Sequence, residues 1–314
     1  MRTLLLLWLF VAPSADTLQV MIWNVENFFD WRNDSTTVSD VEFSAAGERH
    51  WTWKRFQAKA NAFAKALFWV EAETGRLPDI IGLEEVENAF VLRQVLQKTA
   101  LRKLDYKYVH YDSPDRRGID VALLYRTSRL ELLDSKPCHL FAADTVMATR
   151  DILLCEFQRD SAKVAVLVNH HPSKYGGAAE SGPRRRIAVE RLRFLADSLT
   201  AIGIDRIIAG GDFNDTPDNP VFRLLEPALA PMHMDLFRHG LGTIKYDGKW
   251  DLIDHIYVSP ALTPLSRMQI LRIPFLLTRD TVHSGEKPLR TYTGPRHTGG
   301  VSDHLPVLLE VYFQ

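Results

Sequence analysis

Two hydrophobic periodicities divide the chain. From Trp53 to Glu71 the residues Phe56, Ala60, Phe63, Ala64, Leu67 and Phe68 recur at helical spacing, and the stretches from Ala89 to Leu101 and from Ala188 to Leu199 read the same way. Short apolar or alternating runs predict strands beginning at Leu18, Asp79, Tyr106, Ile119, Leu130, Ile152, Val164, Arg206, Leu252, Met268 and Leu305. The strands between Tyr106 and Val168 follow one another too closely for intervening helices, which implies antiparallel pairing. Strands and helices mixed without a regular βαβ period argue against a Rossmann sheet or a (β/α)8 barrel.

Composition adds bounds. The 314 residues contain no Pro/Gly/Ser-rich linker, low-complexity tract or solenoid-period repeat, so a single domain over residues 16–314 is expected. Arg2, the apolar run Leu4 to Val11 and the small residues Ala12, Ser14 and Ala15 read as a secretory signal over residues 1–15, too short to span a bilayer. An exported protein, periplasmic or extracellular, with no stable membrane anchor and monomeric, is the expectation. Export would allow Cys138 and Cys155 to pair, but two cysteines in apolar strands read first as free, buried thiols. A net charge of -1 excludes global attraction for polyanions, so any phosphate affinity must be local.

Four segments supply the candidate chemistry: Ile22-Trp23-Asn24-Val25-Glu26-Asn27, Ile81-Gly82-Leu83-Glu84-Glu85-Val86-Glu87-Asn88, Gly210-Gly211-Asp212-Phe213-Asn214-Asp215 and Ser302-Asp303-His304-Leu305-Pro306. Each follows or abuts an apolar run, delivering polar groups at a strand end, where rigid scaffolds place catalytic residues. In this order the series resembles the endonuclease/exonuclease/phosphatase superfamily, metal-dependent phosphoesterases that include DNase I, abasic-site endonucleases, inositol-polyphosphate phosphatases and bacterial sphingomyelinases. Asn169-His170-His171-Pro172-Ser173-Lys174-Tyr175-Gly176-Gly177 resembles a stretch of its exported bacterial members. The resemblance implies an α/β four-layer sandwich, two mixed β-sheets packed face to face with helices outside, and a phosphate-ester substrate.

It also implies roles. Glu85, Asp303 and the carbonyl oxygen of Asn24 form an all-oxygen set suited to magnesium, with manganese or calcium as alternatives. Glu85 rather than Glu84 fits the family pattern, which leaves Glu84 and Glu87 solvated or in support. Asp212 is the expected general base, with Asn214 beside it. His304 and His170 are expected as imidazolium groups at the scissile phosphate, stabilised by Asp254 and Asp120 respectively. His170 is preferred to His171 because adjacent strand residues face opposite ways. Asn169, Arg117, Lys174 and Arg185 are phosphate-binding candidates, whereas His110, His139 and His255 read as structural.

The leading expectation is a nuclease-type phosphodiesterase, with nucleic acid as its phosphate-ester partner and water activated by Asp212. The same chemistry on inositol phosphates or phospholipid head groups is the alternative; a membrane-directed enzyme would need an exposed aromatic hairpin, and the one candidate, Arg272-Ile273-Pro274-Phe275-Leu276-Leu277, reads as packing inside. A non-catalytic binding module on this fold would be expected to lose site residues, and the core set is complete here.

Overall fold

The computed structural model describes residues 17–33, 37–173 and 178–313, so the leader segment and Lys174 lie outside the described residues. Twelve strands build two sheets: β1 (Thr17–Phe28), β2 (Ile80–Val86), β3 (Tyr106–His110), β4 (Asp120–Arg126), β5 (Glu131–Cys138), β6 (Ile152–Arg159), β7 (Ala162–His170), β8 (Ile207–Asp212), β9 (Ala230–Pro231), β10 (Asp254–Val258), β11 (Ser266–Ile270) and β12 (Val307–Tyr312). The first sheet has the order β11-β12-β1-β2-β4-β3 and the second β9-β10-β8-β7-β6-β5. In each, one parallel pair (β1 with β2, β7 with β8) is flanked by antiparallel neighbours. Parallel neighbours need a crossover; α1 (Trp53–Thr74) supplies it in the first sheet and α3 (Ala178–Ala201) in the second. A shorter helix, α2 (Ala89–Lys98), follows β2.

Period-two alternation sets the layers. Along β1, Leu18, Val20 and Ile22 enter the core between the sheets, where they meet Val164, Val166 and Val168 of β7 and Ile208 of β8. The intervening Met21, Trp23 and Val25 pack outward under α1. On the second sheet Ala165, Leu167, Ile207 and Ala209 face α3 in the same way. The result is helix, sheet, sheet, helix. The sheets approach closely at Gly82 and Gly210, where an added Cβ would stand 3.2 Å from Val168 and 2.7 Å from Ile22 of the facing sheet.

Predicted helix and strand cores fall within these elements, with shifted boundaries. The last predicted helical turn of α2 is a separate 3-10 segment, Ala100–Lys103, because Thr99 ends α2 and caps the next turn through its hydroxyl. Cys138 and Cys155 are buried and free; Ser135 faces Cys155 and Ile152 faces Cys138 in the β5–β6 ladder. That stagger of three residues, about 10 Å along the strand, exceeds disulfide reach. Ile273 and Leu276 are buried and Phe275 packs against the first sheet's outer core, so the 272–277 segment faces inward. No helix among the described residues is long and apolar enough to cross a membrane.

Candidate active site

Extending the alternation past the apolar residues places the polar ones. After Ile22 the next inward position on β1 is Asn24; after Val168 it is His170; after Ile208 and Gly210 it is Asp212. The ladder aligns Asp212 with His170 on one side and Asp254 on the other, while Asn24 aligns with Glu84 across β1 and β2. Two polar rungs therefore face each other where the apolar layer between the sheets ends, at the carboxyl ends of both parallel pairs. The Asn24 side-chain amide spans the gap, its Nδ2 donating to Asp212 Oδ2 at 3.1 Å. Gly211 makes the approach of β7 and β8 possible: its φ is 153°, and a Cβ there would lie 1.8 Å from the Asn169 carbonyl oxygen.

Asp212 is buried and accepts a second bond from the Asn214 backbone N–H at 2.8 Å. Burial raises its carboxyl to about 7; the Asp254 charge pushes the same way, against the His304 charge and the bonds from Asn214 and Asn24. His304 brings its Nδ1 to 2.9 Å from Asp254 Oδ2 and its Nε2 to 3.9 Å from Asp212 Oδ2. Burial alone would discharge this imidazole, but the charge and hydrogen bond of Asp254, with Asp212 and Asp303, hold its pKa well above the ordinary value. Asp254 is fixed from behind by the Thr243 hydroxyl. The His304 backbone is pinned by donation from Trp23 Nε1 to its carbonyl, 3.0 Å, and by the Ser302 hydroxyl, which accepts its N–H at 2.9 Å.

Several expectations need correction. His170 lies 3.6 Å from Asp212 through Nε2, and burial, with Arg150 and Arg117 nearby, holds its pKa well below the usual value, so it is a neutral imidazole rather than an imidazolium. Asp120 is not its partner: Asp120 Oδ2 pairs with His110 Nε2 at 3.0 Å, and Oδ1 accepts from the Ser113 N–H and hydroxyl. His110, Asp112 and Asp120 have ligand-type atoms within 4.8 Å of one another. Arg185 is buried and committed to Asp215 at 3.1 Å and to Ser181. Asn169 Nδ2 spends both of its N–H groups on the Leu167 and Gly210 carbonyls, so it does not point at a substrate, whereas Asn214 Nδ2 donates one to the His171 carbonyl and keeps a second. His171 faces away from the rungs and packs on Phe213, ring centroids 4.3 Å apart.

The two adjacent glutamates are separated by a bulge. Glu84 follows Ile80 and Gly82 on the inward face and is fully buried, with no hydrogen-bond partner for either oxygen among the described residues. Burial, with Asp254 and Asp212 close by, raises its pKa well above the carboxylate range; it is uncharged rather than solvated. Glu85 adopts φ 64° where the β2 ladder slips, which turns its carboxylate to the rim. There Glu85 Oε2 accepts from the Asn27 N–H at 2.8 Å and lies 3.5 Å from Arg117 Nη2. Glu87 is buried beneath, accepting from the Asp30 N–H.

A hard cation suits the rim, with one added donor. The Asn24 backbone carbonyl accepts from the Ser302 hydroxyl at 2.5 Å and its Oδ1 from the Glu26 N–H at 2.9 Å, each oxygen keeping a second lone pair. The third carboxylate is Glu26: its Oε1 accepts from Arg290 Nη2 at 2.9 Å, and the same Nη2 is ion-paired with Asp303 Oδ2 at 3.1 Å. The Lys59 ammonium, wholly buried, donates to the Glu26 carbonyl at 2.5 Å and to the Thr291 hydroxyl at 2.9 Å, and it feels Glu26, Glu85 and Asp303 together. Three carboxylates, Glu26, Glu85 and Asp303, offer only oxygen donors, which fits a hard divalent ion. Glu26, Lys59, Arg290 and Thr243 were not among the expected site residues. Lys59 carries a legible signal, a charge three residues after Phe56 and four before Phe63 on the apolar stripe of α1.

The sequence profile of the Endonuclease/Exonuclease/phosphatase family matches residues 19–312. Protein angel of Drosophila melanogaster is 25% identical over 213 residues, 62% of this chain and 57% of that protein; the chain thus spans little more than half of that relative. Among solved structures, D. rerio TDP2 complexed with single strand DNA product superposes with a TM-score of 0.57 at 16% identity, covering 94% of this chain and 98% of that one. The Bacteroides thetaiotaomicron mannosyl-6-phosphatase gives 0.59 at 17% identity, covering 94% and 100%. The likeness to these structures is one of fold, whereas the profile runs from β1 through the last strand and takes in all four motif segments. This chain belongs to the endonuclease/exonuclease/phosphatase family.

Proposed function

We propose that the chain is an exported, divalent-metal-dependent phosphodiesterase of nuclease type. The observation that carries the reading is the row His170, Asp212, Asp254, which puts a buried carboxylate with raised pKa beside the cationic His304 and next to the Glu26, Glu85 and Asp303 cluster. A divalent ion held by Glu85, Asp303 and Glu26 would supply positive charge to the phosphoryl oxygens. Asp212, held by Asn24 and the Asn214 N–H, accepts a proton from the attacking water. The new P–O bond forms as the ester P–O bond opposite breaks, and the departing oxygen takes up a proton. His304 faces charge that grows on the phosphoryl oxygens as phosphorus becomes five-coordinate, with Asp254 and Thr243 keeping it protonated and oriented. His170, neutral, contributes a hydrogen-bonding edge rather than a charge.

A nucleic-acid phosphodiester is favoured over that of a phospholipid head group because the 272–277 segment packs inward, leaving no aromatic membrane contact there. Arg117 and Arg290, each about half exposed, give the rim its positive groups. The test is incubation of the whole protein with plasmid, single-stranded DNA, RNA, a sugar phosphate, inositol phosphates and sphingomyelin, each with magnesium and with chelator. Chelator-sensitive cleavage of nucleic acid is expected; turnover confined to phosphomonoesters or sphingomyelin would overturn the nuclease reading. Export rests on the leader-like residues 1–15. Protein from the native host is expected to begin near Ala15 or Asp16, and an intact Met1 on cytoplasmic protein would refute it.

A further inference from the structure

The rim carboxylates are not waiting bare for an ion. Arg290 places Nε and Nη2 on Glu26 Oε1, at 3.0 and 2.9 Å, and the same Nη2 on Asp303 Oδ2 at 3.1 Å. Glu26 is held besides by the Thr291 N–H at 2.7 Å and by burial, so it stays in place whatever Arg290 does. Asp303 has no comparable second anchor among the described residues: its side chain is 27% exposed and that of Arg290 48%. Lys59 is the opposite case, buried and fixed by two hydrogen bonds. Of the two cations nearest Glu26, Lys59 is built in, whereas Arg290 reaches in from solvent on a long, flexible stem.

We propose that Arg290 is an intramolecular competitor for the cation site: it bridges Asp303 to Glu26 in the ion-free protein and yields Asp303 when a divalent ion binds. The proposal rests on the reading that Glu85 and Asp303 hold the ion. Three carboxylates against the three side-chain cations Lys59, Arg117 and Arg290 carry no net charge; without Arg290 they leave one negative charge for the ion to meet. Removing the guanidinium should therefore tighten binding of the bare ion by about five- to tenfold, the scale of a partly exposed ion pair at a crowded site. A residue that merely held the carboxylates in position would give the reverse, since losing it would splay them.

The experiment is Mn2+ binding to the full chain without substrate, read by calorimetry and by the electron paramagnetic resonance signal of free Mn2+. Wild type, Arg290→Gln, Arg290→Lys, Glu85→Gln and Asp303→Asn are compared, each first checked by thermal melt. Arg290→Gln is expected to bind about five- to tenfold more tightly, and Arg290→Lys, which keeps the charge but loses the two-pronged bridge, to fall between it and wild type. Glu85→Gln and Asp303→Asn are expected to weaken binding. If those two weaken it while both Arg290 variants match or fall below wild type, competition is overturned and the cation reading stands. If Glu85→Gln and Asp303→Asn bind like wild type, the cation reading falls, and the proposal with it.

Discussion

At Asp212 two opposed demands meet: burial raises the carboxyl to about 7, while Asn24 and the Asn214 N–H stabilise the charged form that a base needs. Asp212→Asn keeps the shape and loses the base, so kcat on whichever substrate the panel identifies should fall about 10²- to 10⁴-fold with KM little changed; a variant within tenfold of wild type would remove Asp212 from that role. His304 and Asp254 act as one unit across a 2.9 Å contact. The double variant His304→Gln with Asp254→Asn should therefore be about as impaired as the worse single one, and a loss equal to the product of the two would break the pairing. Both residues were legible through the family resemblance, His304 in a short motif ahead of an apolar strand and Asp254 at the start of one. Lys59 left its mark on the α1 stripe, but Glu26 and Arg290 were harder, because nothing local distinguishes a charge past the apolar run of β1 or in the 289–301 segment until the fold brings them together. Asp120 misled for the same reason in reverse: an acid at a strand start found its histidine on the neighbouring strand, at His110, not in the other sheet.

Among the elements, the β7–β8 pair carries the tightest backbone constraint at the site. Gly211→Ala would set a Cβ 1.8 Å from the Asn169 carbonyl at a φ of 153°, so either the rung carrying His170 and Asp212 shifts or the ladder opens. The cost should exceed about 3 kcal/mol by urea denaturation. Gly203→Ala, also at positive φ but with nothing within 4 Å, should cost only about 1–2 kcal/mol. Equal costs would show that close approach is not what Gly211 provides. The strands themselves were readable from period two, and alternation alone separated His170 from His171. The β2 bulge was not readable: no turn-forming residue marks it, yet it decides that Glu84 goes inward and Glu85 to the rim.

The second sheet's outer layer stacks the buried imidazoles of His171, His233 and His255 with Phe213, and burial lowers His171 to about 3 and His233 to about 4. Because these histidines are depressed in the folded state, the unfolded chain protonates first as pH falls below about 6.5. Their contribution is fully present above that pH and is lost on the way down to about 4 for His233, at about 1.4 kcal/mol per pH unit. His233→Phe preserves the stack on His255, whose ring lies 4.2 Å away. Denaturation curves at pH 7, 6, 5 and 4 should show a shallower acid loss for this variant than for wild type; parallel slopes would mean that His233 titrates normally in the folded protein. The four-layer plan was expected from the family resemblance rather than from periodicity, since no local pattern says which strands share a sheet.

The order of the strands has one more result. β12 closes against β1, at the opposite end of the chain, and Asp303 and His304 immediately precede it. Everything through β10 contains all of the second sheet, including Asp212 and Asp254, yet neither Asp303 nor His304. The two polar rungs and the rim thus become one site only when β12 pairs with β1, so a folding intermediate that has formed the second sheet alone holds half of the constellation.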